Sequence, residues 1–171
     1  MCALVALQGS FGAGRAQTEE APESVEPPLQ ITSDGANRYE GGIYYAKDNV
    51  VVTYGGDVLM ADEVHFNPQS KEATAKGNVR LYMLGQIYRG DLLTYNFRTK
   101  KMLSEKFRFL DGKMMVEGES IDSPELGHYD IAGGDYSTDN RETPGWKTKA
   151  SSVSIYPGDK TIVENSVGYF G

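Results

Sequence analysis

Cysteine is nearly absent. Cys2 is the only one in 171 residues, so no internal disulfide can staple this chain. Histidine is almost as scarce, and His65 and His128 stand far apart with no cysteine beside them, which leaves a metal site without its usual donors. Positive charge is in deficit: 17 Lys and Arg against 24 Asp and Glu give a net charge of −7. That balance argues against a nucleic-acid partner, which needs a basic face to neutralise phosphates. No apolar run approaches the length that crosses a bilayer as a helix, and no helical periodicity is sustained. What is plentiful is glycine, 20 residues, and tyrosine, 11, the residues of tight turns and half-buried strand faces.

The stretch from Asn49 to Arg108 repeats itself. At an offset of 29, Asn49-Val50 falls on Asn78-Val79, Gly56 on Gly85, Val58 on Ile87, Asp62 on Asp91 and Phe66-Asn67 on Tyr95-Asn96. A fixed offset marks a supersecondary unit used more than once, and such units stack into elongated structures with a continuous interior. Short alternating runs separated by turn signals predict an all-β domain. Strands are expected over 49–54, 58–66, 71–76, 79–84, 86–95, 101–109 and 113–121, with turns at Gly77-Asn78 and Asp111-Gly112 among others. The Gly-Gly pairs at 41–42, 55–56 and 133–134 have no phosphate-loop context and are expected as turns.

Period-two alternation assigns the inward face. The residues expected inside are Val52, Tyr54, Val58, Met60, Val64, Phe66, Val79, Leu81, Met83, Ile87, Leu93, Tyr95, Phe107 and Phe109. On alternation alone they suit the core of a closed sandwich as well as an open apolar groove. Strict parity would also turn Asp62 and Asp91 inward, and a bulge or bend at that point in both repeats would resolve the conflict. Asp62 and Glu63 are adjacent in a strand and face opposite ways, so they cannot share a substrate. No serine sits in a nucleophile-elbow pattern. Catalysis, metal and cofactor are therefore not expected.

Residues 1–17 read as an export signal without its positive n-region: an apolar core over Cys2 to Leu7, then small residues near Ala16. Residues 18–28 are rich in Glu and Pro and read as a disordered linker. The tail differs from the repeats. Pro144-Gly145-Trp146 leads into an alternating basic strand from Lys147, then a turn at Tyr156-Pro157-Gly158-Asp159.

The segment from Val58 to Val79 resembles the organic-solvent-tolerance (OstA-like) repeat, on Ala61-Asp62, Val64, Phe66-Asn67, Ala73 and Gly77-Asn78-Val79. With its second copy the resemblance covers residues 30 to 125. That family includes the periplasmic lipopolysaccharide-bridge protein and the N-terminal domain of the outer-membrane lipopolysaccharide-assembly protein. Residues 136 to 150, with their Pro-x-Trp, resemble the entry into the assembly protein's barrel. Many members carry a cysteine just before that motif, where this chain has Asp139 or Asn140, so the disulfide the resemblance implies cannot form here.

The resemblance implies a twisted, V-shaped β-jellyroll of two sheets over residues 29–125, with a junction and the opening strands of a truncated barrel over 126–171. It implies lipopolysaccharide transport at the outer membrane of an exported protein, with the fourteen inward residues as a groove for lipid A acyl chains. The implied partners are the periplasmic bridge, docked by strand-edge pairing, and the outer-membrane plug lipoprotein where the barrel is complete. A stand-alone bridge protein and a lipid-free β-repeat scaffold or adhesin are the alternatives. Lys100-Lys101, Lys106 and Arg108 are expected as a solvated basic face, and Trp146 as a packing anchor between jellyroll and barrel.

Overall fold

A computed structural model describes residues 26–139, 141 and 143–170. The export signal expected at 1–17, most of the linker expected at 18–28, and Asn140 lie outside the described residues. The strands are β1 (Gln30–Thr32), β2 (Asn37–Glu40), β3 (Ile43–Tyr54), β4 (Asp57–Asn67), β5 (Glu72–Met83) and β6 (Gln86–Asn96). They continue as β7 (Met102–Asp111), β8 (Met114–Glu125), β9 (His128–Ser137), β10 (Trp146–Tyr156), β11 (Lys160–Glu164) and β12 (Val167–Phe170). Every pairing is antiparallel, and the order is a simple meander from β3 to β10. β1 and β2 together line the free side of β3, and β11 and β12 together line that of β10, so each edge is one strand broken in its middle. β9 to β12, expected as the opening of a barrel, extend this same sheet.

The sequence expectation of two strands over 71–84 is corrected: β5 runs unbroken from Glu72 to Met83. Gly77-Asn78 is a bulge inside it, with φ of 73° and 48°. The same device sits 29 positions earlier at Asp48-Asn49, with φ of 62° and 49°. The pairing register slips at these points, between Lys47 and Val50, Met60 and Glu63, and Lys76 and Val79. Further along, β6 and β7 lose their pairing between Gly90 and Thr94, and the left-handed Gly133 marks the same level of β9. Gly133-Gly134, expected as a turn, therefore lies within a strand. Bulges bend a strand and release its ladder locally. The register slips of β3 to β6 and the pairing gap and left-handed residues that follow fall on one line and crease the sheet.

The crease folds the sheet into two facing layers. Tyr54, at one end of β3, stacks edge-on against Phe97, which follows the opposite end of β6, with centroids 6.1 Å apart. Phe109 and Tyr129, also from opposite strand ends, meet with tilted rings at 5.1 Å. A flat sheet would hold these ends tens of ångströms apart, since a strand rises about 3.3 Å per residue. The expected all-β, two-layered jellyroll is thus realised as one continuous sheet doubled over.

Inward positions at the crease are mostly small because the layers converge there. Val50 pairs with Ala61, and Val79, Gly90, Phe107, Gly118, Gly134 and Ala150 follow in one register row. Gly90 shows the crowding: a Cβ there would meet the hydroxyl of Tyr88, folded back along the same strand, at 2.3 Å. Away from the crease the inward residues are large, including Leu59, Phe66, Leu81, Tyr95, Phe109 and Tyr129, all fully buried. Each such side chain contributes about 1.5–3 kcal/mol by leaving water.

Candidate functional site

The candidate site is the apolar interior between the layers. Of the fourteen residues expected there, eleven are at most 5 % exposed: Val52, Tyr54, Val64, Phe66, Val79, Leu81, Met83, Leu93, Tyr95, Phe107 and Phe109. The other three are corrections. Val58 and Ile87 are half-buried and Met60 is 37 % exposed, because they point out of the opposite face. In β4 the bulge between Met60 and Glu63 shifts the alternation by one, so Leu59 and Ala61 face in before it and Val64 and Phe66 after it. In β6 Tyr88 faces in before the break, and Leu93 and Tyr95 after it. The bulge or bend expected at Asp62 and Asp91 is present, as a register slip at Asp62 and a pairing gap at Asp91, and both carboxylates are exposed. Asp62 accepts a hydrogen bond from Asn78 Nδ2 at 2.8 Å and packs over Gly77, which ties the crease between β4 and β5.

The interior runs the breadth of the sheet. At the β2–β3 end its inner face emerges as the tilted pair Tyr39 and Tyr44, 59 % and 41 % exposed, with rings 4.5 Å apart. At the β9–β10 end it reaches Tyr136 and Trp146, half-buried and edge-on at 6.2 Å. Between these aromatic ends the inward side chains shield one another.

A polar seam joins the layers opposite the crease. Asp57, 2 % exposed, accepts at Oδ2 from the Tyr95 hydroxyl at 2.6 Å and from Lys100 Nζ at 2.5 Å. Lys100, expected in a solvated basic face, is instead this seam's cation. Burial, reinforced by the bond to Asp57, pushes the Tyr95 phenol far above its ordinary range. Burial likewise pushes Tyr129 up to about 12, aided by the charges of Asp57 and Asp111. Tyr88 also rises to about 12, mainly by burial and against a hydrogen bond with Ser104. One repeat after Asp57, Gln86 occupies the same position, 1 % exposed, and its Oε1 finds no donor among the described residues.

The remaining candidates are structural. His65 Nε2 and Glu63 lie 2.8 Å apart on one strand face, and this contact holds the Glu63 carboxyl below its usual value. His128 stacks on Tyr156 at 4.3 Å and reaches Asp130 at 2.9 Å. No cluster of three metal-ligating groups forms among the described residues. In the loop before Trp146, Asp139 accepts from Arg141 Nε at 2.8 Å and from the Gly145 amide at 2.8 Å, so the loop is tied by a carboxylate. The Arg141 contact, then the Gly145 amide, pull the Asp139 carboxyl far below its normal range.

No family model and no curated protein matches the sequence. Among solved structures, the chain is similar to the crystal structure of LptH, the LptA homologous periplasmic component of the lipopolysaccharide transport device from Pseudomonas aeruginosa. The TM-score is 0.33 at 11 % identity, covering 84 % of this chain and 95 % of that one.

Proposed function

We propose that this chain shelters lipopolysaccharide acyl chains as they cross the envelope. In this reading it is exported to the periplasm and accepts lipid from a bridge protein. It then hands the lipid to an outer-membrane barrel sealed by its plug lipoprotein. The observation that carries the reading is the continuous apolar core from Ala46 to Ile155, flanked by the aromatic pairs Tyr39–Tyr44 and Tyr136–Trp146. Each methylene kept from water is worth about 0.8 kcal/mol, so a multi-chain lipid needs a shield of this length and no chemistry from its carrier.

Because the inward residues already cover one another, lipid enters by parting the layers at the seam opposite the crease. Both edges, β1/β2 and β11/β12, carry free backbone donors and acceptors for strand addition, the mode by which a bridge would dock. The continuation of one sheet through β9 to β12 favours a second placement on the same route, as a stand-alone bridge rather than the assembly protein's N-terminal domain.

A photo-crosslinking amino acid at Leu81 or Leu93, both inward, is expected to capture lipopolysaccharide. Outward Thr74, between buried Ala73 and Ala75, is expected to stay unlabelled, and equal capture from Thr74 would overturn the reading. The tight burial of the inward residues also favours a lipid-free scaffold with a dry core. A fluorescent acyl probe separates the two, because a dry core gives no saturable binding.

A further inference from the structure

The outer face of the crease carries a row of arginines that the apolar interior does not use. Strand register sets Arg80 directly opposite Arg89, and Arg89 directly opposite Arg108. Their neighbours in the alternation, Val79, Leu81 and Tyr88, are buried, so the guanidinium groups belong to the opposite, solvent face. Beyond Arg108 the row reaches Glu117, whose Oε1 accepts from Arg108 Nε at 2.6 Å. On the other side of Arg80 the row meets Met60. Among the described residues neither Arg80 nor Arg89 forms an ion pair.

Like charges directly opposed on a sheet face destabilise it. The cost is notable in a chain with 24 acidic residues, where a carboxylate at either position would have formed a pair. Beyond this row, where the pairing of β6 with β7 is interrupted, stand residues of mixed sign, Asp91, Lys106 and Glu119. An open depression of about 480 Å³ lies over them and the row, lined by the arginines, Glu117 and the backbone of Gly90 and Gly118.

We propose that Arg80 and Arg89, with Arg108 beside them, bind a phosphate group of a phosphomonoester. Guanidinium forks donate paired N–H bonds to oxyanions, and two forks from adjoining strands can grip different edges of one tetrahedral phosphate. Glu117, Asp91 and Glu119 at the rim repel an extended polyanion, and their oxygens accept from hydroxyls on the group that bears the phosphate. The net charge of −7 further disfavours a nucleic-acid backbone. This site faces away from the interior and does not depend on lipid carriage there.

The test uses the full chain in phosphate-free buffer, with inorganic phosphate, a hexose phosphate, and phosphatidylcholine vesicles with or without phosphatidic acid. Inorganic phosphate is expected to raise the wild-type melting temperature by roughly 2–4 °C. Arg89→Gln and Arg80→Gln should each weaken phosphate binding at least ~10-fold by calorimetry, while raising the melting point in phosphate-free buffer by relieving the opposition. Arg38→Gln, on an exposed arginine paired with Glu40, should change neither value. Binding of the hexose phosphate alone assigns a soluble ligand, and binding of phosphatidic acid vesicles alone assigns a lipid headgroup; either upholds the site. A phosphate-independent melting point, or equal weakening by Arg38→Gln, would overturn it.

Discussion

Asp57 and Tyr95 stand 38 positions apart at opposite ends of their strands, yet the Tyr95 hydroxyl donates to Asp57 Oδ2 at 2.6 Å. That contact, with Lys100 Nζ on the same oxygen at 2.5 Å, holds the two layers together on the side away from the crease. Asp57→Ala is expected to cost about 3–5 kcal/mol in urea denaturation, because it strands the Lys100 ammonium in a largely buried site. Asp57→Leu with Lys100→Met should recover most of that loss. A double variant as weak as the single one would show that the seam acts through something other than this ion pair.

Buried tyrosines set the behaviour at high pH. Tyr88 and Tyr129 are raised to about 12 in the folded chain, and Tyr95 is raised further. A phenol whose folded value is raised contributes fully below its unfolded value of ~10, and that contribution is lost as pH climbs through the folded value. Unfolding between roughly pH 10 and 12 is therefore expected. Near-ultraviolet titration should show three of the eleven tyrosines ionising only with that transition. Smooth titration of all of them while the fold persists would contradict the burial.

The shifted alternation in β4 separates two adjacent residues. Leu59 is fully buried and Met60 is 37 % exposed. Leu59→Ala should therefore destabilise by about 2–5 kcal/mol, and Met60→Ala by less than ~1 kcal/mol. The reverse order in denaturant melts would restore the parity expected without a bulge.

At the crease, Gly90→Ala is expected to cost about 1–3 kcal/mol, since its methyl would press on the Tyr88 ring. Tyr88 cannot simply move, because its hydroxyl donates to the Leu92 carbonyl at 2.9 Å. Tyr88→Phe removes the atom the methyl meets, so the two substitutions should be strongly non-additive in a double-mutant cycle. Additive losses would mean that the Tyr88 ring does not lie back over Gly90.

The 29-residue repeat proved to be a repeat of backbone conformation as well as of residues. Asp48-Asn49 and Gly77-Asn78 share left-handed geometry, as do Gly56 and Gly85, and Lys71 and Lys100. Where alternation ran undisturbed, as at Val52, Leu81 and Phe109, the inward face was readable from the chain alone. It failed at Val58, Met60 and Ile87, all on the near side of a pairing break. Asp62 signalled that break by its polarity, but which side of it changed phase depended on where β5 hydrogen-bonds to β4. Leu59 and Tyr88 were missed for the same reason. Tyr129 and Ile131 lie beyond 113–121, the last strand that alternation predicts before the tail.

Local information was sufficient for strands, turns, a repeating unit and one apolar face, because side-chain alternation and turn chemistry act over a few residues. It could not supply the doubling of the sheet. That depends on bulges in successive strands falling on one line, a property of register between strands rather than of any one of them. Only once the sheet is doubled do Asp57, Tyr95 and Lys100 meet, and only strand register sets Arg80 against Arg89.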